Sequence, residues 1–168
     1  MTSIDDVAIA RQQAARLAAI TEIRAVRLMR SSAEIIHLPA NGPFLSYQLA
    51  STSAVEYEPG SESFVVHGNY SLTINSRPTA DLEDSGPQDL DSTVARIEFE
   101  QAALFVMDIS NERPPEPDEL NAYAISTGQF ALHPYAREYI SDLTARLGLP
   151  PLTVGVLRMP LPAERADG

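Results

Sequence analysis

Apolar and polar positions change period several times along the chain, and each change predicts an element. Ser3 can cap a helix whose first turn carries Asp5 and Asp6, where the helix dipole favours negative charge. Ile4, Val7, Ala8, Arg11, Ala14, Ala15 and Ala18 then keep helical spacing, with Leu17 widening the stripe. This predicts an amphipathic helix over residues 1–19. From Ile20 to Ile36 β-branched residues and arginines interleave, the pattern of a long strand stopped by Pro39, Gly42 and Pro43. Phe44, Leu45, Tyr47, Leu49, Val55 and Tyr57 predict a second strand, ended by Pro59-Gly60. In the third, Phe64 to Asn75, Tyr70, Leu72 and Ile74 alternate with Ser71 and Thr73. In the fourth, Thr93 to Ile109, Ile97 and Phe99 alternate with Arg96, Glu98 and Glu100 before the run becomes wholly apolar.

Between the third and fourth strands, residues 77–91 hold two prolines, a glycine and five acidic side chains with little apolar material. Such a stretch cannot offset its own ordering entropy and is expected to be a flexible acidic loop. After Pro114-Pro115-Glu116-Pro117 the period returns to helical. One helix starts at Pro117, carries Leu120, Tyr123 and Ala124, and ends near Gly128. A second starts at Pro134, with Tyr135, Tyr139, Leu143 and Leu147 as its stripe, Ile140 beside it and Gly148 at its end. Leu149 to Leu157 is a last apolar piece, and residues 158–168 read as a disordered tail. Four strands followed by helices, without alternation, predict an α+β fold: a four-stranded antiparallel sheet with helices packed on one face. A single domain over 20–157 accommodates it.

Composition narrows the function. The 168 residues carry a formal charge of −11, all cationic side chains are arginine, and there is no cysteine. Lysine nucleophiles, thiolates, disulfides and a phosphate-binding lysine are thereby excluded. A chain this acidic, without a basic face, does not suit nucleic acid. The start Met1-Thr2-Ser3-Ile4 is unlike a secretory signal, and no apolar run has the length of a membrane span, so a cytoplasmic location is expected. His37, His67 and His133 lack ligand-spaced neighbours, and Asp81, Glu83 and Asp84 do not follow the order of a calcium loop. With no glycine-rich phosphate cradle and no nucleophile elbow, the reading is a non-enzyme without metal or cofactor.

Two strings supply a positive identification. Ala122 to Glu138, through Phe130-Ala131-Leu132-His133-Pro134-Tyr135-Ala136-Arg137-Glu138, resembles the start of the main helix of SecB proteins. Arg146-Leu147-Gly148-Leu149-Pro150-Pro151-Leu152 is similar to the proline-rich string that follows that helix. Phe99 to Phe105 resembles a family strand, and Ile36 to Pro43 the turn after the family's first strand. The resemblance spans about Arg24 to Leu157. It implies the same α+β fold, assembly into tetramers as dimers of dimers, and ATP-independent holding of non-native polypeptides through apolar grooves. It further implies that Ile97, Phe99 and Gln101 lie on a subunit-contact strand. Candidate groove-lining residues are Leu45, Tyr47, Leu49, Phe105, Met107, Leu152 and Val154, with Met107 favoured because methionine adapts to varied partners.

The chain departs from the family at both ends. An extra N-terminal helix is expected, and with the sequence running only to Gly168 after Pro160-Leu161-Pro162, the helix that contributes in the family to docking on the motor ATPase of the Sec translocase is expected to be missing. These departures resemble SecB-like proteins encoded beside toxin–antitoxin pairs, so a dedicated antitoxin chaperone is the first expectation. General preprotein holding for Sec export and a non-catalytic oligomerisation module are the alternatives.

Overall fold

Four long strands form the sheet of the computed structural model, which describes residues 4–38, 44–77, 92–110 and 112–157. They are β1 (Thr21–Ile35), β2 (Phe44–Tyr57), β3 (Ser63–Arg77) and β4 (Ser92–Met107). Helix α1 (Ile4–Ile20) precedes them; α2 (Pro117–Tyr123), a π-helical turn (Ala124–Gly128) and α3 (Gln129–Arg146) follow. The expected α+β architecture is therefore present. Ser3, the turn at 39–43, the loop over 78–91 and the tail over 158–168 lie outside the described residues.

The sheet order is β1-β4-β3-β2, so three hairpin-connected strands are joined by a first strand that lies beside the last, as in a Greek key. β1 and β2 are consecutive in sequence yet occupy opposite edges. Pairing is antiparallel: Asp108 N donates to Ile20 O at 2.9 Å, whereas at the other end of the same pair Ile36 N donates to Val94 O at 2.8 Å.

Two compact units share the chain. The first combines the chain up to Arg27, Ser53–Gly68 and everything from Gln101 onward. Its core is aromatic: Phe64 stacks on Phe105 at 5.4 Å, and Tyr123 meets both rings edge-on at 5.1 and 5.2 Å. Val66, Ala103 and Met107 continue one face of β3 and β4 beneath helix residues Ala10, Ala14, Leu17, Leu120 and Leu132. The second unit combines Leu28–Thr52 and Asn69–Glu100. In it Tyr70 stacks on Phe99 at 4.7 Å, and burial pushes the pKa of the Tyr70 hydroxyl up to about 12.

The helices differ from their sequence reading in phase and extent. On α1 the buried line is Ala10, Ala14 and Leu17, while Arg11, Ala15 and Ala18, placed on the apolar stripe by spacing, are exposed. On α3 it is Leu132, Ala136, Ile140 and Thr144; Tyr135 is 44% exposed and Tyr139, Leu143 and Leu147 are half-buried. The helix expected to end near Gly128 does not stop there. The chain stays helical through the π-turn into α3, and Pro134 sits inside α3 rather than at its start. Gly128 is helical at φ −62° and serves close approach instead: a Cβ there would lie 3.0 Å from Val66 Cγ1 on β3. Gly128→Ala is therefore expected to cost about 1–3 kcal/mol by overpacking, read as a lowered midpoint in chemical denaturation.

Gly148 does end its helix. At φ +76° it takes the left-handed position, with Gly148 N donating to Ala145 O and Leu149 N to Thr144 O, both at 3.0 Å. This is the Schellman arrangement.

Candidate functional site

Three polar side chains on one flank of α3 fix the segment that follows it. Thr144 Oγ1 accepts from Leu152 N at 3.0 Å, Arg137 Nε donates to Val154 O at 2.8 Å, and His133 Nε2 lies 2.9 Å from Gly155 O. Residues 149–157 have no regular secondary structure, so these side chains supply partners that a ladder would otherwise give. Arg137, within the family-like string, thus holds backbone. Leu149 and Val154 are buried along this segment, Leu152 is half-buried, and Val156 is 65% exposed.

A second set of polar contacts fastens α1. Arg16 grips Glu119 with two bonds, Nε to Oε1 at 3.0 Å and Nη2 to Oε2 at 2.9 Å. Arg113 adds two more to the same carboxylate, both at 2.9 Å, and Glu116 N donates to Glu119 Oε2 at 3.0 Å. The Arg16 guanidinium in particular holds the pKa of the Glu119 carboxyl down at about 2. α1 is thereby tied to the start of α2 by a bidentate ion pair, and by the apolar line Ala10–Ala14–Leu17.

Between these helices lies an open groove of about 330 Å³. Ala10, Ala122 and Ala124 lie along it, with Ile9 and Ile125, and Gln13, Asp118 and Asn121 add polar groups. Sequence reasoning misses it because spacing presents α1 as an added element and not as one wall of a groove. The available signal is the run of alanines, small enough for two helices to leave a trough.

The sequence-derived candidates fall in different places. Phe105 and Met107 are inside the aromatic core of the first unit, 2% and 3% exposed, and Val154 is buried as well. Leu45 and Leu49 are half-buried on edge strand β2, where Tyr47 is 37% exposed. Ile97 and Phe99 are enclosed within the second unit's share of β4. Gln101 is buried too, and its Oε1 has no hydrogen-bond partner among the described residues. Edge strand β1 contrasts with all of these: no described side chain along it is fully buried, and Ile23, Leu28 and Met29 are exposed.

His67 Nε2 lies 3.3 Å from Glu56 Oε2, while His133 meets a backbone carbonyl. Among the described residues no group of His, Asp or Glu is arranged to hold a metal ion, and no helix is long and apolar enough to cross a membrane.

No protein-family model matches the chain. It is 42% identical over 166 residues to the SecB-like chaperone Rv1957 of Mycobacterium tuberculosis strain H37Rv, covering 97% of this chain and 91% of that protein. The same values relate it to the SecB-like chaperone MT2006 of strain CDC 1551. Among solved structures it resembles Mycobacterium tuberculosis Rv1957 in complex with a ChAD peptide from the Rv1956 HigA1 antitoxin, with TM-score 0.75 and 39% identity over 89% of this chain and 99% of that one. Near-complete coverage at this identity, on a sheet and helices of the same kind, identifies the chain as a member of the SecB-like chaperone family.

Proposed function

We propose that this chain is a holding chaperone that binds an aggregation-prone polypeptide without nucleotide or catalytic chemistry, and that its client is the antitoxin of a toxin–antitoxin pair. One observation carries the reading: the chain matches, over nearly its whole length, a relative whose solved complex contains an antitoxin peptide. Exposed apolar side chains on a strongly acidic chain are the physical means. Burying client surface contributes on the order of 25 cal/mol per Å². A client that crosses several subunits adds weak contacts through effective concentration.

In this reading the protein works in the cytoplasm as a homo-oligomer, a tetramer built as a dimer of dimers. The length of β1, at an edge and with no fully buried side chain, supports self-association through that strand. Ile97, Phe99 and Gln101 contribute by shaping β4, the strand on which β1 is laid. Leu45, Tyr47, Leu49 and Leu152 offer direct client contact, whereas Phe105, Met107 and Val154 support the surface from beneath.

The test is light scattering on a chemically unfolded client diluted into buffer with and without the purified chain, with particle mass recorded in parallel. Stoichiometric amounts are expected to suppress aggregation and to yield a complex heavier than the free oligomer. Unchanged aggregation at several-fold excess would sink the proposal.

A further inference from the structure

We propose that a trough in the second unit, on the face of the sheet opposite the Tyr70–Phe99 stack, is a binding site for a small aliphatic amine, a primary alkylammonium of the size of 1,4-diaminobutane. The inference goes beyond the chaperone reading and does not depend on it.

The trough measures about 250 Å³, and all of its lining belongs to the second unit. It crosses four strands, with Arg30 on β1, Glu98 on β4, Asn69 and Ser71 on β3, and Ala50 and Thr52 on β2. Side chains alternate between the two faces of a strand. Asn69 and Ser71 flank Tyr70, and Glu98 precedes Phe99, so these polar groups point away from the buried ring stack. Tyr70 and Phe99 themselves floor the trough with main chain. The Met107 N to Glu62 O bond and the Tyr70–Phe99 stack share one antiparallel register, which sets Ser71 opposite Glu98 and Asn69 opposite Glu100. Side chains so paired start about 5 Å apart, close enough to hold one ligand atom between them.

The lining selects a cation. Glu100 takes Arg30 at 3.7 Å, whereas Glu98 is exposed and engaged by no cation among the described residues. The side chains of Asn69, Ser71 and Thr52 also have no hydrogen-bond partner among the described residues. The Glu98 carboxylate, the Ser71 hydroxyl and the Asn69 amide oxygen thus offer three acceptors at one end, matching the three N–H donors of a primary ammonium. Beyond them Ala50 and Thr52 are short and leave room for an alkyl chain. The span from β4 to β2 is two strand spacings, about 10 Å, which a four-carbon diamine fits. The chain's −11 charge draws cations to the surface over longer range. The surroundings favour a small molecule over a protein. Ser46, Gln48 and Ala54 continue the same face of β2, and none is the large aromatic or arginine that anchors a protein interface.

The experiment is calorimetric titration of the full chain, at constant ionic strength, with 1,4-diaminobutane, with the uncharged butane-1,4-diol, and with a capped Gly-Ser-Lys-Ser-Gly peptide that presents the same ammonium from a polypeptide. The wild type is expected to bind one diamine per chain saturably and the diol not at all. Glu98→Gln should weaken the diamine by about tenfold, the scale of one hydrogen bond to a charged group. Glu22→Gln removes the same charge from an exposed position outside the trough and should leave the affinity unchanged. Ala50→Leu fills the trough without touching a charge and should weaken the diamine as well, which keeps the test open if Glu98→Gln fails to fold. Equal losses in Glu98→Gln and Glu22→Gln would reduce the effect to the diffuse field of an acidic chain and overturn the site. Binding of the diol as tightly as the diamine removes the ammonium from the recognition. Tighter binding of the lysine peptide than of the diamine overturns the small-amine assignment and makes the trough a contact for a protein.

Discussion

Replacing Tyr123 by alanine is expected to destabilise the chain by about 3–5 kcal/mol, the range found when a large buried aromatic is truncated and its cavity cannot collapse. Tyr123 joins helix to sheet at the centre of the first unit. Its ring meets Phe64 and Phe105 edge-on, and those two rings lie on adjacent strands, so truncation leaves both without their perpendicular neighbour. Its hydroxyl lies 3.0 Å from Thr21 Oγ1. Thr21 Oγ1 is the donor in that contact, and it also donates to Leu17 O at 2.8 Å. Burial raises the pKa of the Tyr123 hydroxyl above its ordinary range, which keeps it protonated. Tyr123→Phe keeps the rings and removes only this bond, so its cost should be about 1 kcal/mol. Urea denaturation at matched protein concentration checks both, since assembly makes apparent stability concentration-dependent. A Tyr123→Ala loss no larger than that of Tyr123→Phe would remove the ring cluster from its central role.

The second large effect is expected at Glu119. Glu119→Ala deletes the acceptor of four arginine bonds and of the Glu116 backbone N–H, a bond that caps the start of α2. Charge-assisted bonds of this kind are stronger than neutral ones. Arg113 is half exposed, however, and solvent screening reduces its share. The expected loss is about 2 kcal/mol, felt mainly as release of α1. Hydrogen exchange should therefore accelerate in α1 and less in the strands. The same carboxylate predicts a pH dependence. Its folded pKa of about 2 lies below the ordinary 4.5, so its contribution is complete above 4.5 and is lost as pH falls toward 2. Stability measured down that interval should decline less steeply in Glu119→Gln than in the wild type. Parallel curves would mean that other carboxylates carry the acid sensitivity.

Much of this fold is legible in the residues because its periods are local. β3 shows it best: Phe64, Val66, Tyr70, Leu72 and Ile74 are buried, with the period of two that the sequence displays. The stop at Gly148 is legible for the same reason, since only a residue without Cβ accepts a left-handed backbone at low cost. The string from Phe130 to Leu152 also carries the family, because His133, Arg137, Thr144 and the proline-rich segment form one hydrogen-bonded unit. The candidate site is legible in part only. Phe105 and Met107 have the composition of a binding surface and the placement of a core, and composition alone does not distinguish the two.

Residue pattern alone was enough for the element types, the α+β class, the family and the exclusion of lysine and cysteine chemistry. The phase of the helices came from packing instead. The buried lines Ala10–Ala14–Leu17 and Leu132–Ala136–Ile140 were chosen by how closely each helix approaches its neighbours, and small side chains win where backbones come near. Packing also put Gly128 against Val66 instead of at a helix end, and β1 beside β4 at an edge rather than beside β2. The groove between α1 and α2 belongs to the same class of outcome. Its walls come from residues more than 100 positions apart, such as Gln13 and Asn121, and no local pattern relates them.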